Sequence, residues 1–412
     1  MTAADRQRLR TLAQHQAELA ASDKNLERVE LWKRHHAFQG QRPPIHIEVG
    51  TFARQVIAPQ LQCTDPFARA LEWQLIGSCV NLEVFDDDLV VPPFFKMGYD
   101  THFRLFGHDI RQDVIVDEEG TELGHKFYHI IDDLEEGFDK ILSPTEFGVD
   151  VSSTMARKER IEDIFGDILP VRICTDCLYA VPTQRVVHLM GMDNLIYSIY
   201  DYPELFLQMM DRIADAYIAY FRYLEGEGLL RQNHGFEWLG QGTLCFWDEE
   251  ERNGPVKTTD LWGFLDSQET VGMSPEMFHE FIFPSYKKIA EHFGRLSYGC
   301  CEPVHTVWED IQTLPNLKKV SISPWCDEEF MADRLRGQNI IYHRKPSPNY
   351  LGLDKELDED AFRAHIEKTL NTARGCHLEI TQRDVYTVHH NIDKVKRYVQ
   401  IIRESIDRCW KP

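Results

Sequence analysis

About eight short apolar runs, separated by longer stretches of helical spacing, constrain what this chain can fold into more than any other feature. They are Ile45 to Gly50, Cys79 to Phe85, Val171 to Tyr179, Leu229 to His234, Arg295 to Tyr298, Lys318 to Ile322, Asn339 to His343 and Gly375 to Ile380. Strands that alternate with helices need crossover connections, hence a parallel sheet, and a single series of about eight closes into a barrel. The expected class is therefore α/β, a (β/α)8 TIM barrel over residues 41–412. Residues 1–40 read as a helical extension with leucines at helical spacing, Ser22 and Asp23 opening its second helix and Pro43-Pro44 ending it. It either packs on the main domain or serves as a dimer arm. A β-hairpin insertion is expected at about 101–150, turning at Asp117-Glu-Glu-Gly120.

Charge narrows the partners. Against 45 Lys+Arg stand 67 Asp+Glu, a formal net charge of -22, which repels nucleic acid. Ten cysteines are scattered along a long chain, and no apolar run approaches the length of a membrane span. A reducing, cytoplasmic location follows as an expectation, with a homodimer as the one assembly considered.

In barrels of this kind chemistry gathers where strands end. The densest such place is Arg295-Leu-Ser-Tyr-Gly-Cys-Cys-Glu-Pro-Val-His305, where two thiols, a carboxylate and a phenol crowd together. Free cysteines also serve as small buried hydrophobes, so this cluster alone does not decide. Glu48, Asp86, His234, Asp266, Cys300 to Glu302, His343 and Glu379 are expected to face one mouth together. His46 and Trp238 join Glu48, Asp86 and His234 as candidate substrate-binding residues. Cys174 and Cys177 form a single C-x-x-C on an extended run, where the two thiols point apart. No G-x-G-x-x-G follows a strand, so a dinucleotide fold is not supported.

Four segments occur in an order that resembles the uroporphyrinogen decarboxylase superfamily over about residues 40 to 405. They are Phe85-Asp-Asp-Asp-Leu89, Tyr200-Asp-Tyr-Pro-Glu-Leu-Phe206, Phe264-Leu-Asp-Ser267 with Ser274-Pro-Glu-Met-Phe-His-Glu-Phe281, and Thr387-Val-His-His-Asn-Ile-Asp-Lys-Val395. That superfamily has a (β/α)8 barrel and includes zinc-dependent methyltransferases that use corrinoid or thiol carriers. The arginine-rich Met-Arg-Gln-Ala-Gly-Arg loop of the true decarboxylases is replaced here by Ile47-Glu-Val-Gly-Thr-Phe-Ala-Arg54. The chain is thus more similar to the corrinoid-linked methyltransferases. Their His-x-Cys reads Tyr298-Gly-Cys300 here, and their last-strand cysteine has no counterpart beyond Cys376.

The resemblance implies methyl transfer from or to a small substrate, assisted by zinc, and a corrinoid protein as partner; the family's own ligand set is incomplete here, and Cys300 or Cys301, Glu302, His343 and Glu379 could supply the ligands instead if the strand ends meet. The same groups admit a metal-independent decarboxylase or lyase, with Asp266 or Glu302 as general acid or base and Tyr298 stabilising developing charge. A binding protein that has lost its chemistry is the third reading, and the density of ionisable groups speaks against it.

Overall fold

Two helices precede the sheet. Thr2 opens α1 (Ala3–Ala20) through a reciprocal capping box with Asp5, and Ser22 opens α2 (Asp23–His36) by accepting from the Asn25 N–H. In the computed structural model, which describes residues 1–118, 120, 122–233, 235–246 and 254–410, both helices pack on the body of the protein. Leu9 and Ala13 of α1 share a core with Leu71, Leu75, Ile161 and Phe165. Trp32 of α2 is buried, donates from Nε1 to Asp88 O at 2.7 Å and stacks on Phe246.

The main sheet has seven parallel strands: β1 (Ile45–Ile47), β2 (Leu178–Ala180), β3 (Trp262–Leu265), β4 (Arg295–Tyr298), β5 (Leu317–Ile322), β6 (Ile341–Arg344) and β7 (His377–Gln382). Their order is β1-β7-β6-β5-β4-β3-β2, so every strand from β3 to β7 lies beside its sequence neighbour. The register sets Ser321, His343 and Glu379 side by side across β5, β6 and β7. Strands covered on both faces read as near-continuous apolar runs, yet β3, buried at all four positions, was not among the runs expected from the sequence.

This sheet is TIM-barrel-like, but among the described residues its ladder does not close. A small hairpin, Trp238–Gly240 with Thr243–Leu244, bridges the two edges. The Cys177 N–H donates to Trp238 O at 3.0 Å on the β2 side, and His46 Nδ1 meets Gly242 O on the β1 side. Gly240, Gln241 and Gly242 all have positive φ, and a Cβ on Gly242 would lie 2.6 Å from Thr381 Cγ2. Only glycine fits between the hairpin and β7 there.

Three expected strands differ. Cys79–Phe85 is no strand: helix Pro66–Val80 runs on into a π-turn, Asn81–Phe85. Its buried residues Leu71, Leu75, Ile76, Cys79 and Leu82 fall at helical spacing, and a short apolar window cannot separate the two periods. Asp86, at φ 57, stops it. Residues Val171–Ile173 and Leu178–Ala180 are two strands rather than one, the first pairing with Phe95–Met97 in a separate parallel pair. Residues 229–233 form no strand; there the Asn233 side-chain amide donates to Thr175 O and accepts from the Trp262 N–H. Over about 101–150, Gln112–Val116 pairs antiparallel with Glu122–Phe127, and Asp100–Arg104 pairs antiparallel with Glu146–Asp150. No described helix is long and apolar enough to cross a membrane.

Candidate active site

The strands sort the expected residues into two buried clusters, one on the inner face of the sheet and one at the strand ends. In the first, Lys319 of β5 donates to both oxygens of Glu379 on β7 at 2.8 and 3.0 Å, and to Thr243 Oγ1 at 2.7 Å. Helix α2 supplies His35, whose Nε2 lies 3.1 Å from Glu379 Oε2, and His36, whose Nε2 lies 3.2 Å from Lys319 Nζ. His343 Nε2 is 2.9 Å from Thr381 Oγ1 and 3.6 Å from Glu379. Burial alone would raise Glu379, yet Lys319, His343 and His35 hold its carboxyl well below the usual range. Burial drives His343 and His36 well below theirs, so both rings are neutral. This network is saturated and seals the base of the sheet against α2.

The second cluster lies just beyond the ends of β3, β4, β6 and β7. Asp266 follows β3, and Tyr286 Oη donates to its backbone oxygen at 2.6 Å. Its carboxyl is buried, and Oδ1 has no hydrogen-bond partner. Burial, then Glu302, Cys300 and Glu269, push it well above the usual range against the pull of Lys345. Glu302 is occupied by the main chain: its carboxylate accepts from the Ser267 N–H at 2.9 Å and the Cys300 N–H at 2.7 Å. Tyr298, fully buried, shares a 2.6 Å hydrogen bond with Ser267 Oγ and so braces the turn from beneath.

Cys300 Sγ and Cys301 Sγ stand 3.5 Å apart, and Cys301 Sγ is 3.6 Å from Asp384 Oδ2. The hydrogen bond between the thiols and burial push Cys300 up. The same bond, helped by Lys345 and Arg383, brings Cys301 below the usual thiol value despite burial and Asp384. Lys345, past the end of β6, donates to Gln241 Oε1 at 2.8 Å and Cys300 O at 2.9 Å. Arg383, past β7, pairs through Nε with Glu48 at 3.0 Å, while its buried Nη1 has no partner.

Several expected residues sit elsewhere. Glu379 and His343 belong to the saturated network, not to the cysteines. Asp86 is 59% exposed and pairs with Lys24 and Arg28, both on α2, away from the strand-end cluster. Its neighbours account for the triple Asp: Asp87 accepts from Ile47 N–H and Asn81 Nδ2, and Asp88 from Ile45 N–H and Arg42. His46 stacks on Trp238 with ring centroids 5.7 Å apart. His234 lies outside the described residues.

The residues expected to hold zinc do not fit it. Glu379 spends both oxygens on Lys319, His343 spends Nε2 on Thr381, and Glu302 spends its oxygens on main-chain N–H groups. That leaves two adjacent thiols, whereas a catalytic zinc needs about three protein ligands. Among the described residues no group of three or more His, Cys, Asp or Glu side chains is placed to hold a metal ion.

Composition and motif order missed Lys345, Arg383 and Gln241. For the first two a signal existed: along an extended strand Lys345 shares the face of His343, and Arg383 that of Glu379.

The fold has a measured counterpart. A methyltransferase from Methanosarcina mazei superposes with TM-score 0.51 at 13% identity, covering 90% of this chain and 97% of that one. A B12-independent methionine synthase from Shewanella sp. W3-18-1, in complex with selenomethionine, reaches TM-score 0.27 at 9% identity over 74% of this chain and 77% of that one, too low to argue from. No family model and no curated protein matches the chain. What the first likeness shows is a shared α/β, TIM-barrel-like fold.

Proposed function

We propose that the chain is a methyltransferase of the uroporphyrinogen decarboxylase-like superfamily, with a barrel of the (β/α)8 type. It moves a methyl group between a small methylated compound and a corrinoid or thiol carrier supplied as co-substrate. The fold shared with a methyltransferase supports the class. The observation that carries the chemistry is Asp266: a buried carboxyl with one oxygen unpartnered, its hold on a proton strengthened by burial and by Glu302, against the pull of Lys345. A protonated acid in a dry site is what cleavage of a methyl–oxygen bond requires. The bond from the methyl carbon to the leaving oxygen breaks as the bond to the carrier's nucleophile forms. The Asp266 proton passes to that oxygen, the resulting carboxylate is stabilised by Lys345, and solvent returns the proton. The ten cysteines, all free, suit a reducing compartment.

The test is anaerobic incubation with methoxylated aromatic compounds and chemically reduced cobalamin, following methylcobalamin by absorbance. Formation with wild type and loss with Asp266→Asn is the expected result; no transfer to cobalamin or to added thiols across the panel overturns it. Because the expected zinc donors are occupied, a second reading is metal-independent decarboxylation with Asp266 protonating the carbanion. Release of CO2 from small carboxylates without methyl transfer would establish that reading instead.

A further inference from the structure

One cation near the strand ends lacks a counter-charge. Arg185 lies at the start of the helix that follows β2, Pro182–Asp201. It is partly buried, its Nε donates to Tyr217 Oη at 3.0 Å, and its guanidinium lies over the Phe103 ring, 5.7 Å from the centroid. Among the described residues no carboxylate pairs with it; the groups acting on its charge are the Tyr217 phenol first, burial against it, and the Tyr179 phenol. Holding a guanidinium away from water without an anion is costly, and an anionic ligand offsets that cost.

Arg185 faces a cavity of about 250 Å³ between the helix start and the insertion, lined also by Phe103, His108, Gln112, Phe127 and His188. Among the described lining residues it is the only Lys or Arg, and the one carboxylate, Asp109, is paired with Arg104 at 2.9 Å. His188 stacks on Phe127 with ring centroids 4.0 Å apart, and burial, then Arg185, push it down to about 4, so the ring is neutral. Two links join this cavity to Asp266. Tyr286 Oη meets both Thr183 Oγ1, at 2.8 Å, and Asp266 O, at 2.6 Å, which fixes the helix start against the acid. Tyr179 stacks on Phe264 at 4.9 Å, yet its ring is 45% exposed on an otherwise buried strand. Burial, then Asp266 and Cys300, push its phenol up, and the same phenol acts on Arg185, so it stands between the cation and the strand-end cluster.

We propose that Arg185 anchors the substrate, an aromatic ring bearing one carboxylate, and that the ring's far edge reaches past Tyr179 toward Asp266. This deepens the methyl-transfer reading and rests on it for the reaction only. Phe103, Phe127 and Tyr179 offer flat apolar faces to a ring. With Nε fixed on Tyr217, the two Nη groups of Arg185 present the planar fork that a carboxylate matches.

Binding of para-methoxybenzoate and of its neutral counterpart para-methoxybenzamide to the full chain is measured by isothermal titration calorimetry. The wild type is expected to bind the acid about ten- to a hundredfold more tightly than the amide, the range of a charged hydrogen-bonded pair. Arg185→Met should lose that preference and hold the amide as the wild type does. Arg185→Gln, which keeps a donor for Tyr217, takes its place if Arg185→Met does not fold. Equal binding of acid and amide by the wild type, no binding of either, or a preference that survives in the variant overturns the proposal. A preference that depends on Arg185, with no methyl transfer from the bound acid to cobalamin, overturns only the methyl-transfer reading. Transfer from the amide as readily as from the acid overturns only the anchor.

Discussion

The two buried ionic clusters share strands β6 and β7, and they differ in whether every polar atom is satisfied. Around Lys319 and Glu379 each charge meets an opposite one, and His35, His36, Thr243 and Thr381 take the remaining contacts. At the strand ends Asp266 Oδ1 and Arg383 Nη1 are buried with nothing to bond. A saturated network holds a fold in one arrangement, whereas a cluster with open valences has something left to offer a ligand. That contrast, rather than the count of ionisable residues, separates structure from chemistry here.

The largest effect should fall on the saturated side. Glu379→Gln leaves the Lys319 amine buried without its counter-charge, and denaturant unfolding should show a loss of about 3–5 kcal/mol. Trp32→Ala removes the aromatic that seats α2 against Phe246, and a loss of about 3–5 kcal/mol is expected by the same measurement. The strand-end side should behave in reverse. Asp266→Asn should lower methyl transfer by about 10²–10⁴-fold in steady-state assays while leaving the unfolding midpoint unchanged or raised.

pH sharpens the comparison because the two carboxyls are shifted in opposite directions. Glu379 is held below its ordinary 4.5, so its contribution is full above that value and is lost as pH falls through the folded-state value. Asp266 is raised above 3.8, so above that value the folded state keeps a proton that the unfolded state releases, and stability falls as pH rises toward the folded-state value. Unfolding measured across pH should therefore lose the decline that begins above 3.8 in Asp266→Asn and the loss below 4.5 in Glu379→Gln. The smallest effect is on the surface: Lys24→Ala breaks an exposed pair with Asp86 and should change stability by about 0–1 kcal/mol.

How much of this was legible follows from the physics of each signal. Strands β5, β6 and β7 stood out because both their faces are buried and their apolar runs are bounded by polar residues. The turn at Cys300 to Glu302 was legible for the same reason. Cys79–Phe85 was misassigned because a seven-residue apolar window carries no period, and β3 was overlooked as a strand behind its Asp266 loop. The division of the strand-end residues into two clusters was beyond the sequence, since it depends on His35 and His36 arriving from α2, more than 280 positions from Lys319. Zinc was expected because donors were counted by type, whereas the structure shows those donors already taken by Lys319, Thr381 and main-chain N–H groups.

The central claim is that Asp266 keeps its proton at neutral pH, and infrared spectroscopy reads this directly. The difference spectrum between wild type and Asp266→Asn at neutral pH should contain the carbonyl stretch of a protonated carboxyl group that the variant lacks. A difference spectrum showing only carboxylate bands would mean that Asp266 is ionised, and would contradict its role as the acid of the site.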